Sequence, residues 1–113
     1  MRTAIASFSI GNGASLSDAV RLSGSTPTEI VMPGAWTAAG ITFQTSHDGT
    51  TYQDMYRSGA EVAVAVDAAQ NVRLDPGDFI GINYIKLRSG TSGTPVNQGA
   101  ARTINVMLLD EHL

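Results

Sequence analysis

The sequence predicts an all-β protein, a jelly-roll-like two-layer sandwich of about eight or nine short antiparallel strands. Three observations predict it. Apolar residues recur at every second position in short runs, Gly, Pro, Asn and Asp punctuate those runs, and no stretch sustains the i, i+3, i+4, i+7 spacing of an amphipathic helix. At 113 residues the chain makes a single domain, 1–113, with no repeat and no linker. A domain of this size buries about two-thirds of its unfolded surface, and the 42% apolar share supplies one core without a metal or disulfide staple.

The elements follow in order. Residues 4–10 put Ala4, Ala6, Phe8 and Ile10 on one face, and Gly11-Asn12-Gly13 ends the run because these residues accept positive φ cheaply. Residues 19–22 and 29–32 are brief strands separated by a Gly24-Ser25-Thr26-Pro27 loop, and Pro33-Gly34 breaks the chain again. Residues 40–46 alternate, with Ile41 and Phe43 inward and Thr42 and Gln44 outward. Asp48-Gly49 then predicts a hairpin into 52–57. Val62, Val64 and Val66 line one side of the next strand, 67–71 turns, 72–74 is short, and Asp75-Pro76-Gly77-Asp78 turns again. Residues 79–87 are the longest apolar segment, and their inward parity shifts between Tyr84 and Ile85, which fits either a bulge or a strand buried on both faces. Residues 89–99 form a long Gly/Ser/Thr/Pro loop, and 103–109 closes the chain with Ile104, Val106 and Leu108 on one face and Met107 and Leu109 on the other.

Net charge is −3 with only 15% charged residues, and the seven basic residues are scattered. Nucleic-acid binding calls for a basic stripe, so nucleic acid is not an expected partner. So little charge fits a β protein with many turns, and equally a surface destined to be covered by partners, since interface centres are depleted in charge. The absence of cysteine removes disulfides, thiolate metal sites and cysteine nucleophiles together. No apolar run approaches the ~20 residues that span a bilayer, so no membrane is expected. The opening Met1-Arg2-Thr3-Ala4-Ile5 alternates like a strand rather than a signal segment, and the expectation is a protein made and used without export.

Ser46-His47-Asp48 holds the residue types of a hydrolase triad, but a triad needs the imidazole between the other two, and strand neighbours point to opposite faces. No Gly-x-Ser-x-Gly elbow is present. Carboxylates at Asp48, Asp54, Asp67, Asp75 and Asp78 lack the density calcium demands, so each reads as a solvated turn. His47 and His112 have no spaced partner for zinc. No cofactor, no metal and no catalysis are expected; the protein should work by binding other surfaces. Trp36 reads as a core or sheet-edge anchor, or alternatively as a platform for a sugar or partner. The stretch from Arg88 and Ser89 through Thr91, Pro95, Asn97 and Gln98 reads as a solvated crossover or a contact loop.

Met32-Pro33-Gly34-Ala35-Trp36-Thr37-Ala38-Ala39 and Ile41-Thr42-Phe43-Gln44-Thr45-Ser46-His47-Asp48-Gly49-Thr50-Thr51-Tyr52 resemble small virion proteins of tailed bacteriophages and gene transfer agents. Ile85-Lys86-Leu87-Arg88-Ser89-Gly90-Thr91, Pro95-Val96-Asn97-Gln98 and Ile10-Gly11-Asn12-Gly13-Ala14-Ser15-Leu16-Ser17 resemble the same group, so the likeness runs over residues 5–106. The stretch from Phe43 to Tyr52 is also similar, less specifically, to discoidin-like galactose-binding sandwiches, and no sugar-site residue carries over. The first resemblance implies a structural component of the virion, assembled in the host cytoplasm, and brings no catalytic residues. Together with the low charge and the long uncharged loop, it suggests a head-decoration (cement) protein that binds the major capsid protein as a small homo-oligomer, a trimer or a pentamer. A head-spike base, a tail component and a module binding host-surface glycans are the alternatives. The expected contacts are the first and last strands, including Phe8 and Met107, and the loop with Arg88, Ser89, Thr91, Pro95, Asn97 and Gln98.

Overall fold

Alternation along the two longest strands builds the first layer. In the computed structural model, which describes residues 2–110, β1 (Arg2–Ile10) turns Ala6, Phe8 and Ile10 inward and leaves Thr3, Ile5, Ser7 and Ser9 exposed. The other strands are β2 (Val20–Arg21), β3 (Ser25–Val31), β4 (Ile41–Ser46), β5 (Gln53–Asp54) and β6 (Tyr56–Arg57). β7 (Ala60–Glu61), β8 (Ala63–Val64), β9 (Asn71–Arg73), β10 (Tyr84–Ser89) and β11 (Arg102–Asp110) follow. One antiparallel sheet runs β1-β11-β3-β9. A second runs β2-β10-β4-β5, with β8 pairing the other end of β4, and β6-β7 form a separate ribbon.

The inner faces of the two sheets meet in one core. Phe8, Ile10, Ile30, Ile104 and Val106 come from the first, and Ile41, Phe43, Ile85 and Leu87 from the second, all in one contiguous buried cluster. Phe43 meets Phe79 edge to face at 5.1 Å between ring centroids. The result is an all-β two-layer sandwich, with a radius of gyration of 13.1 Å, which fits the ~13 Å of a single domain of this length. No helix among the described residues is long and apolar enough to cross a membrane.

Several sequence expectations need correction. The described residues form eleven strands rather than eight or nine, because the stretch from 53 to 64 is cut into two-residue pieces. Ser58 and Gly59 both have positive φ, 53° and 83°, as the tight turn of a two-residue hairpin requires, and so fold β7 back on β6. Val62 then donates its N–H to the Met55 carbonyl, one step further along the register of the β6–β7 pairs, and only Val66 of the three valines is fully buried. Ala4, expected inward, is exposed near the end of β1.

The predicted loop at 24–27 instead enters β3, where Pro27 lies opposite Leu108 beside a register shift between Met107 and Leu108. Such an irregularity is where a strand tolerates a residue without an N–H. The parity shift in 79–87 is neither a bulge nor a strand buried on both faces. Pro76–Asp78 forms a 3-10 turn capped by Asp75, Phe79 drops into the core, Ile80 points out at 65% exposure, and β10 begins only at Tyr84. Two different structures adjoin there, so no single parity governs both.

Candidate functional site

Thr42 and Arg88 sit at outward positions of β4 and β10, directly opposite one another in the ladder, yet both are buried. What covers them is a polar layer. The Arg88 Nε donates to the Thr42 hydroxyl at 3.0 Å, and its two terminal nitrogens donate to Asp54 Oδ1 at 2.8 Å and Glu61 Oε2 at 3.0 Å. Glu61 in turn accepts the Ser92 N–H at 3.2 Å on both oxygens, and the Thr42 hydroxyl donates to the Gly90 carbonyl at 2.7 Å. A forked, always-charged guanidinium suits this work because it satisfies three acceptors in fixed directions. No buried side-chain nitrogen or oxygen among the described residues lacks a partner.

This network and a second one hold the 89–99 loop at both ends. Gly90 (φ +90°) approaches so closely that a Cβ there would lie 2.5 Å from the Thr94 carbonyl oxygen, so only glycine fits. Thr91 and Thr94 exchange backbone hydrogen bonds, and the Val96 N–H donates to the Ser89 carbonyl. Gln98 is 1% exposed; its Nε2 donates to Ser89 Oγ at 2.7 Å and its Oε1 accepts the Thr37 N–H at 2.8 Å. Thr91, Gly93, Thr94, Pro95 and Asn97 project outward on this frame, and none carries a charge.

Four expected contact residues are therefore interior. Phe8, Arg88, Ser89 and Gln98 are committed to the domain's own core and networks, whereas Thr91, Pro95 and Asn97 are on the surface and Met107 is half-buried. Trp36 packs half-buried against the core with its indole N–H donated to the Ala39 carbonyl at 3.0 Å. The sequence signal missed was partnership across distance: Asp54 and Glu61 are 34 and 27 residues from Arg88.

Ser46-His47-Asp48 forms a turn, not a relay. Ser46 Oγ donates straight to Asp48 Oδ1 at 2.9 Å, while the His47 ring stands outside with its Nε2 4.0 Å from Asp48 Oδ2. Asp48 is drawn down from its ordinary 3.8 to about 2, first by the Thr51 N–H, then by the Thr50 N–H and the Ser46 hydroxyl. Asp54 is held by Arg88, Asp78 by Arg57 at 2.6 Å, and Asp75 caps the 3-10 turn. Among the described residues no three His, Asp or Glu converge as metal ligands; His112 lies outside them.

Beside that turn an open cleft of about 540 Å³ separates the β4–β5 hairpin from residues 81–83. Gln53, Tyr56, His47 and Asn83 line it, and Tyr56 is 58% exposed. No family model matches the chain, and no curated protein matches it.

Replacing Arg88 with Met should leave Glu61 and Asp54 facing each other without a cation and cost about 3 kcal/mol in urea unfolding. A loss below about 1 kcal/mol would mean the network is ornamental. Because the Asp48 carboxyl is lowered on folding, its contribution is complete above pH 3.8 and disappears as the pH falls through about 2. Carboxyl NMR should place its midpoint near 2, and Ser46→Ala should raise it; an ordinary midpoint in the intact protein would contradict the turn geometry.

Proposed function

We propose that this chain is a non-enzymatic structural protein of a tailed-phage particle, a head-decoration protein that binds the capsid surface as a small homo-oligomer. The observation that carries the reading is the 90–97 loop, exposed, uncharged and already held in one conformation by Glu61, Gly90 and Gln98. A loop ordered in advance loses little conformational freedom on docking, which is what a permanent protein contact rewards. The resemblance of residues 5–106 to small virion proteins supplies the class of partner, the major capsid protein. Vertex and tail positions remain alternatives within the same reading.

A different observation favours a second reading, a module for host-surface glycans. Tyr56 offers an exposed ring at the edge of an open cleft beside Gln53 and Asn83, the pairing of aromatic face and amide groups that suits a sugar.

Purified protein mixed with undecorated capsids should co-sediment and raise their heat resistance. Asn97→Glu, which places an uncompensated charge in the contact, should weaken that binding by at least about tenfold. Absence of both co-sedimentation and added heat resistance would end the decoration reading. The glycan reading requires chemical-shift changes at Tyr56 on titration with a glycan panel, lost in Tyr56→Ala; a silent panel removes it.

A further inference from the structure

We infer that β1 is a joint between two copies of this chain, which pair antiparallel across a two-fold axis with Ile5 opposite Ile5. The argument begins with backbone direction. Along a strand the N–H and C=O of one residue point to the same side, and successive residues alternate sides. Both groups of Ser9 point away from β11, because Asp18 takes them: the Ser9 N–H donates to Asp18 Oδ1 at 2.9 Å and the Ser9 carbonyl accepts the Asp18 N–H at 3.2 Å. Thr3, Ile5 and Ser7 share that parity and present their groups to the same outer edge. No described residue bonds the outward backbone groups of these three.

This edge differs from the others. β2, β5, β8 and β9 also lie at sheet edges, but each has only two or three residues, whereas β1 has nine in unbroken register with β11. Proteins blunt long edges with charge, proline or a bulge, and Thr3-Ala4-Ile5-Ala6-Ser7 contains none of these.

The occupant follows from symmetry and charge. Asp18 closes the edge at Ser9, leaving three outward residues centred on Ile5. An antiparallel second copy uses all three, Thr3 against Ser7, Ile5 against Ile5 and Ser7 against Thr3. Arg2, whose side chain is 77% exposed and lies 3.4 Å from Asp110 of its own chain, then arrives opposite Phe8 of the other copy, near that copy's Asp18, and the two-fold sets this cation between two carboxylates at both ends. On the outer face Ile5, 64% exposed, lies opposite half-buried Met107, so pairing joins two such apolar pairs across the axis. A two-fold contact consumes each edge once and closes, so it gives a dimer rather than a fibre.

Because the chain has no cysteine, single-cysteine variants read the register directly. Opposed residues in this ladder have Cα atoms about 5.5 Å apart, within disulfide reach. Wild type should sediment at twice the 11.8 kDa of one chain. Under mild oxidation Ile5→Cys should cross-link to itself, and Thr3→Cys should cross-link to Ser7→Cys more than to itself. Ile80→Cys, equally exposed elsewhere, is the control. Ile5→Pro removes only an outward N–H, so it should keep the strand signal in circular dichroism and run as a monomer. A wild type that stays monomeric up to about 1 mM, or an Ile5→Cys variant that cross-links no faster than the control, overturns the joint. Since the readout contains no capsid, either result leaves capsid binding to its own test, and a monomeric wild type would remove only the preformed homo-oligomer from that reading.

Discussion

The guanidinium of Arg88 is the constraint on which the outer half of the second sheet depends. A sandwich ordinarily leaves its outer faces to water. Here one outer face carries a buried cation, and an unpaired charge there would be intolerable. Asp54 at the start of the β5–β7 excursion, Glu61 at its end, the Thr42 hydroxyl beneath and the Ser92 amide through Glu61 all converge on the same site. Met55, Val62 and Val64 pack this stretch on the core, and β5 and β8 pair with β4. The charge adds the polar tie that draws Asp54 and Glu61 onto β10 and, through Glu61, holds the 90–97 loop with them.

The second network, at Gln98, has the same logic with neutral groups. One amide ties Thr37, Ser89 and Arg102, while the Gln98 backbone bonds Ala14 and Gly13. Segments far apart in sequence are thereby fixed at both feet of the loop. A Gly/Ser/Thr/Pro stretch that composition alone reads as flexible becomes a defined projection, because its anchoring groups lie in neighbouring elements and not in the loop.

What was legible in the sequence was whatever depends on local alternation. Phe8, Ile10, Ile41, Phe43, Ile104 and Val106 face the core as their spacing requires, and Asp48-Gly49 makes the turn between β4 and β5. Legibility failed where a third body intervenes. Thr42 has outward parity but is covered, Arg88 and Gln98 have the composition of surface residues but serve as internal ties, and Pro27 is admitted to a strand by an irregularity in its neighbour. The Ser58-Gly59 turn was readable in principle; it was obscured because two-residue strands leave too short a pattern to register. The loop as a candidate site was visible, and the division of its residues into ties and projections was not.

Many of the few charges this chain carries are also paired within it. Of the seven basic residues, Arg2, Arg57, Arg73 and Arg88 are paired within the chain, to Asp110, Asp78, Glu29 and the Asp54–Glu61 couple. Much of a small stock of charge is thus neutralised at short range, and little field extends beyond the surface to steer a partner. On the two proposals made above, recognition by such a surface would come from contact: backbone ladders along β1, apolar side chains beside it, and the shape of the 90–97 loop. In that contact exposed Asp18, with Arg2 already beside Asp110, would fix alignment more than strength. Screening by salt weakens long-range attraction but leaves ladders and apolar contact intact, so an assembly formed this way should lose little affinity as ionic strength rises.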